Sequence, residues 1–158
     1  MKRGAALVLS MFAGGVGGAF ATSRIRRKEI LYWKALSDKH LALLQLLNQW
    51  MLTKQRGKSI VDFFHKNAIK CIGIYGMSYV GECLVEELKN TEIEVKYAID
   101  QNRDGIYVDV DVISLDEELE KVDAIIVTPI TSFQNIKEML SEKVDYRIIS
   151  LEEIIYTL

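Results

Sequence analysis

The stretch Lys70-Cys-Ile-Gly-Ile-Tyr-Gly-Met-Ser-Tyr-Val-Gly81 decides the fold. Ile72, Ile74 and Tyr75 form a short β-branched and aromatic run, and Gly76 follows it with a turn that a residue carrying a Cβ makes only under strain. Beyond the turn, Val80, Leu84 and Leu88 recur every four residues, with Gly81 and Val85 beside them, so the next segment is a helix with one apolar face. Strand, glycine turn and helix together make the opening unit of a dinucleotide-binding fold, whose helix N-terminus attracts phosphate.

The rest of the C-terminal part alternates in the same way. Strands are predicted at about 70–75, 94–99, 111–113, 123–128 and 145–149, and helices at about 79–89, 115–121, 132–142 and 151–157. Capping boxes open three of these helices, at Ser114 with Glu117, Thr131 with Gln134, and Ser150 with Glu153. Alternation of strand and helix implies an α/β fold, a Rossmann-like parallel sheet of about five strands with helices on both faces. At 158 residues and 49% hydrophobic composition, the chain buries one ordinary core.

Charge divides the chain. Residues 1–58 carry eleven Lys or Arg against Glu29 and Asp38, a balance of +9, and the remaining hundred carry nine basic against twenty acidic groups, a balance of −11. An acidic globular part argues against nucleic acid as partner, since phosphate backbones are bound by clustered Lys and Arg. The basic part is explained better by a membrane. Gly4 to Thr22 is nineteen uncharged residues, enough for one span at about 1.5 Å per residue, and Gly14 and Gly18 are spaced as G-x-x-x-G. A cleaved signal peptide competes with this reading, but Arg24, Arg26, Arg27 and Lys28 just after the segment favour an uncleaved single-pass anchor over residues 1–23, with the acidic domain in the cytoplasm. From Ser23 to about Arg56 there is neither proline nor glycine, so residues 24–58 read as one or two long basic amphipathic helices. Their wide apolar stripe packs against the globular domain, a second copy in a homodimer, or the bilayer surface. Gly57 ends the helix, Ser59 with Asp62 caps a short helix carrying Phe63 and Phe64, and the globular domain spans 59–158. Cys71 and Cys83 lack metal-ligand spacing and suit a reducing compartment.

In a doubly wound sheet, ligands bind beyond the carboxyl ends of the strands where strand order reverses. That rule gathers Gly76, Met77, Ser78, Tyr79 and Gly81 with Asp100, Asn102, Thr128 and Thr131 around one crevice as cofactor-binding candidates. Read as G-x-G-x-x-G, the middle glycine is Ser78, which crowds a pyrophosphate and shifts the reading from NAD toward a single phosphate of a nucleotide sugar or of coenzyme A. Asp100, twenty-four residues after Gly76, stands where an acidic side chain accepts bonds from a ribose, or else it caps the turn that follows. Pro129 keeps Thr128 extended and bends the chain toward the crevice. No Tyr-x-x-x-Lys pair occurs, and catalytic residues stay unassigned.

The runs Ile74-Tyr-Gly-Met-Ser-Tyr-Val-Gly81, Tyr97-Ala-Ile-Asp100, Val112-Ile-Ser-Leu115 and Asp123-Ala-Ile-Ile-Val-Thr-Pro129 resemble the small Rossmann domain of bacterial polysaccharide biosynthesis proteins. This is the coenzyme-A-binding-like domain that precedes the catalytic part of membrane-bound nucleotide-sugar epimerase/dehydratases, and it is also similar to the N-terminal domain of sugar acetyltransferases. The resemblance covers about residues 68–158. It implies phosphate binding at Gly76, Ser78 and Gly81 and a ribose or sugar near Asp100. This chain departs from the family pattern at Ser78, usually glycine, and at Gln101 to Arg103, usually an acidic pair with proline. No catalytic domain is expected after Leu158. Three functions stay open: a membrane-anchored module binding a nucleotide or nucleotide sugar in surface polysaccharide assembly, an NAD(P)-dependent or nucleotide-sugar-modifying enzyme, and a ligand-free scaffold.

Overall fold

Apolar residues alternate sides along each expected strand, and the computed structural model, which describes residues 2–101 and 109–158 with side chains from residue 26 onward, shows where each set goes. The elements in order are α1 (Lys2–Gln55), α2 (Ile60–Lys66), β1 (Cys71–Tyr75), α3 (Tyr79–Leu88), β2 (Glu94–Ile99), β3 (Val112–Ile113), β4 (Ala124–Val127), a 3-10 turn (Ile130–Ser132), α4 (Phe133–Ser141), β5 (Arg147–Ser150) and α5 (Leu151–Thr157). Residues 1–41 and 42–158 form two compact units. Within the second, all strand pairs are parallel and the sheet order is β3-β2-β1-β4-β5, so the order reverses between β1 and β4.

The alternation divides the core by face. Ile72, Ile74, Ala98, Ala124 and Ile126 point to one side, where they meet Phe63 and Phe64 of α2, Val80, Leu84 and Leu88 of α3, Ile154 and Ile155 of α5, and Leu46 and Trp50 near the end of α1. Tyr97, Ile99, Ile125 and Val127 point to the other, under Leu140, Ile136 and Met139 of α4 and the Leu115–Leu119 segment. Helices therefore cover both faces, as parallel sheets require. The edge of β4 is held by a side chain: the Asp123 carboxylate accepts from Lys70 N at 2.8 Å and Cys71 N at 3.0 Å, and these two bonds hold its pKa below the ordinary carboxylate range.

Gly57 ends α1 with φ +75°, donating its N–H to the Lys54 carbonyl, and α2 opens with the full reciprocal capping box of Ser59 and Asp62. The helix expected over 115–121 does not form. Ser114 and Glu117 make their box contacts, Ser114 N donating to the Glu117 carboxylate and Asp116 N to the Ser114 hydroxyl, but the chain closes one turn and then extends toward β4. Leu115 and Leu119 alone pack against the sheet, while Asp116, Glu117, Glu118 and Glu120 crowd like charge into the segment; one cap does not repay the cost of nucleating so short a helix. The expected Thr131 cap is also replaced: a 3-10 turn intervenes and α4 starts after Ser132, whose side chain makes no cap bond. Both cysteines are free, Cys71 half-buried and Cys83 exposed. Among the described residues no helix is long and apolar enough to cross a membrane, and the side chains of the expected span, 4–22, lie outside the described set.

Tyr97 is buried over Gly73, where a Cβ would stand 2.6 Å from its ring, and its hydroxyl donates to the Glu120 carbonyl at 3.2 Å. Burial, chiefly, pushes its phenol up to about 12. Because the folded value lies above the unfolded one, stability held below pH 10 is lost as pH rises from 10 toward 12. Tyr97→Phe should flatten that alkaline loss in urea unfolding measured between pH 9 and 12; an unchanged slope would place the loss on another group.

Candidate functional site

The reversal of strand order leaves the carboxyl ends of β1 and β4 side by side, and Gly76 is the residue at which the two meet. Its φ is +94°, a conformation glycine adopts without cost. Its N–H donates to Ile99 O at 2.8 Å, tying the turn to β2, and its carbonyl accepts from the Thr128 hydroxyl at 2.7 Å, tying it to the end of β4. A Cβ at this position would stand 2.7 Å from Pro129 Cδ and 2.8 Å from Thr128 Oγ1. Gly76 is thus required twice over, by its dihedral and by the proline ring packed upon it.

The next residues carry the turn into α3. Met77 is buried, and its N–H donates to Asp100 Oδ2 at 2.7 Å. Ser78 is the N-cap of α3, extended at φ −81° and ψ −176°, and its hydroxyl makes no cap bond. In α2 and α5 the capping serines, Ser59 and Ser150, do accept an amide of their own helix. The first amides of α3 therefore carry no side-chain cap, while the helix dipole concentrates partial positive charge there. Gly81 lies one turn in, where any Cβ would press into the Gly76 carbonyl oxygen, so helix and turn approach as closely as two backbones can. Tyr79 stands in solvent.

The structure thus brings Gly76, Met77, Ser78, Gly81, Asp100 and Thr128 together. Asp100 is half-buried and braces the glycine turn by accepting from Met77 N, a role other than the cap of its own following turn, whose residues 102–108 lie outside the described set. The Thr128 hydroxyl is turned to the Gly76 and Tyr75 carbonyls. Thr131 is exposed in the 3-10 turn, and Asn102 lies outside the described residues. Two residues absent from the sequence-derived set belong to it. Pro129, the chain's single proline, forms the wall of the turn, and its uniqueness was the signal. Tyr75 closes β1 with a phenol raised above its usual pKa by burial and then by the Asp100 carboxylate, and no spacing rule marked it.

The larger hollows lie elsewhere. A groove of about 660 Å³ runs along the outer flank of α3, bounded by Tyr79, Glu82, Cys83, Glu86, Lys89 and Asp109 among others, and a second of about 420 Å³ lies between Ile130, Phe133 and α5. The first shares only Tyr79 with the glycine turn. Its carboxylates outnumber Lys89, so the groove disfavours an anion.

Removing the Asp100 carboxylate leaves the buried Met77 amide without its acceptor. Asp100→Ala should cost about 1–3 kcal/mol in urea unfolding, read as a lower midpoint at unchanged slope. Tyr79→Ala, at an exposed position of the same turn, should stay within about 0.5 kcal/mol. Gly81→Ala should lower stability by about 1–3 kcal/mol through the clash with Gly76. Equal, small effects for all three would show that the turn is not under these constraints. Comparison with protein-family models, with curated proteins and with solved structures gives no match to this chain.

Proposed function

We propose that the Rossmann-like domain is a binding module for a nucleotide or nucleotide sugar, with a phosphate of the ligand held at the start of α3. The observation that carries the reading is the uncapped N-terminus of α3 at the β1–β4 reversal, directly after a glycine turn that Asp100 and Thr128 hold in place. A phosphate there accepts from first-turn amides and from the Ser78 hydroxyl, and it benefits from the helix dipole. The side chain at Ser78 leaves room for one phosphate and crowds a pyrophosphate, which favours a nucleotide sugar or coenzyme A over NAD(P). With the uncharged 4–22 segment as membrane anchor and the domain on the cytoplasmic side, such a module would serve surface polysaccharide assembly, the setting its sequence resemblance implies.

A second reading rests on a different observation. Pro129 and Thr128 pack directly onto Gly76, and Asp100 is engaged by the turn itself, so the β4 end closes over the place where a dinucleotide lies in an open crevice. That favours a scaffold whose fold has lost its ligand.

Thermal unfolding of the full chain against UDP, CDP, several nucleotide sugars, coenzyme A, NAD and NADP separates the two. A ligand at one hundred times its Kd should stabilise by about 2.7 kcal/mol, several degrees in Tm. Ser78→Asp supplies the missing cap: it should raise the unliganded stability by about 0.5–1 kcal/mol and abolish the ligand shift, since its carboxylate takes the amides and repels the phosphate. No shift with any compound at millimolar concentration, or a shift that survives Ser78→Asp, overturns the first reading and leaves the scaffold.

A further inference from the structure

The groove along the outer flank of α3 starts where the glycine turn ends. Tyr79, the first residue of the helix, is 85% exposed and belongs to both, so its ring contributes almost nothing to the core. Glu82, Cys83 and Glu86 stand three, four and seven residues after it, which sets all four on one face of α3. Asp109 and Val110, on the way into β3, line the space as well. Its base is apolar, with Leu88 and Ile93 buried and Val85 and Val95 half-buried. The helix runs for about 15 Å beside it at about 1.5 Å per residue. A volume of about 660 Å³ lies in the range of small-molecule sites.

The polar groups of the groove select the chemistry of an occupant. Glu82, Glu86 and Asp109 are acceptors, Lys89 is a donor and the Asn90 amide is both. Lys89 reaches Asp109 at 3.0 Å and Glu86 at 3.9 Å, so it already supplies the cation that these carboxylates attract. An anion is repelled by the carboxylates. A neutral hydroxyl meets neither objection, and it both donates and accepts, which a rim of mixed donors and acceptors requires. The apolar base and the Tyr79 ring match the C–H faces of a sugar, and a molecule whose phosphate lies at the start of α3 brings its next group against Tyr79.

We propose that this groove is a sugar subsite: the neutral, hydroxyl-rich part of a nucleotide sugar lies along the outer flank of α3, stacked on Tyr79, with Glu82 and Glu86 accepting from its hydroxyls. This inference rests on the nucleotide reading and adds the substrate class to it, a nucleotide sugar in preference to coenzyme A.

Cys83 reports the groove from within, because its exposed thiol lines it. Maleimide labelling of the full chain is followed with UDP-glucose, UDP-N-acetylglucosamine, CDP-glucose and GDP-mannose, each against its own nucleoside diphosphate, and the rate in Cys83→Ser gives the share of Cys71 to subtract. A nucleotide sugar that binds should slow Cys83 by at least about fivefold, while the matching nucleoside diphosphate leaves it at the unliganded rate. Tyr79→Ala should cut the preference for the nucleotide sugar over its nucleoside diphosphate by about tenfold in Kd. Equal affinity for the two with Cys83 unprotected would overturn the subsite and leave the nucleotide reading standing. Protection by a nucleoside diphosphate alone would put the nucleoside in the groove, and protection by spermine alone would make it a cation site; either overturns the proposal. A panel in which no compound binds overturns the subsite together with the nucleotide reading.

Discussion

The contact between Gly76 and its surroundings fixes the architecture of the domain. Four elements converge on that one residue: β1 ends there, α3 is held against it at Gly81, β2 receives its N–H through Ile99, and β4 delivers Thr128 and Pro129 onto its carbonyl and α-carbon. Backbone approach of this kind is available only where two side chains are absent. A Cβ at Gly76 meets the proline ring and one at Gly81 meets the turn, so helix, turn and neighbouring strand would all have to separate to admit either. The same closeness narrows the crevice between the carboxyl ends of β1 and β4.

Around this junction the polar groups are used economically. Asp100 and Asp123 sit at opposite ends of the central strands and do the same work, each carboxylate accepting backbone amides of the β1 region that no neighbouring strand reaches. Thr128, buried among apolar residues, turns its hydroxyl to two carbonyls at the end of β1. A buried hydroxyl or carboxylate without such partners would be costly, and these bonds convert that cost into a fixed relation between β1 and its neighbours. The start of α3, like that of α4, lacks the side-chain cap that a serine gives α2 and α5.

The end of α1 shows one helix divided between two tasks. Leu46 and Trp50 complete the core beside Phe63 and Phe64, and Lys54 pairs with Glu87 of α3, so these turns belong to the domain although their sequence is continuous with the basic N-terminal region. Read from residues alone, the stripe was too wide to assign. Burial of one half and exposure of the other separates it, over the last turns of α1, into a domain-facing side and a solvent-facing side.

By itself the sequence determined what depends on neighbours a few residues apart. The glycine turn after β1, the helix that follows, the strand alternation, the stop at Gly57 and the box at Ser59 are local, because periodicity and dihedral preference act within one or two turns of chain. Even there, the box at Ser114 pointed to a helix that did not form, since a local signal cannot weigh how few apolar contacts the sheet offers that segment. The tertiary structure decided what depends on residues far apart: that the sheet runs β3-β2-β1-β4-β5, that Asp100 braces the turn, that Thr128 turns inward, and that Pro129 packs on Gly76. Those partners lie more than twenty residues from the turn they hold, and no spacing rule along the chain carries the geometry that brings them within hydrogen-bond reach.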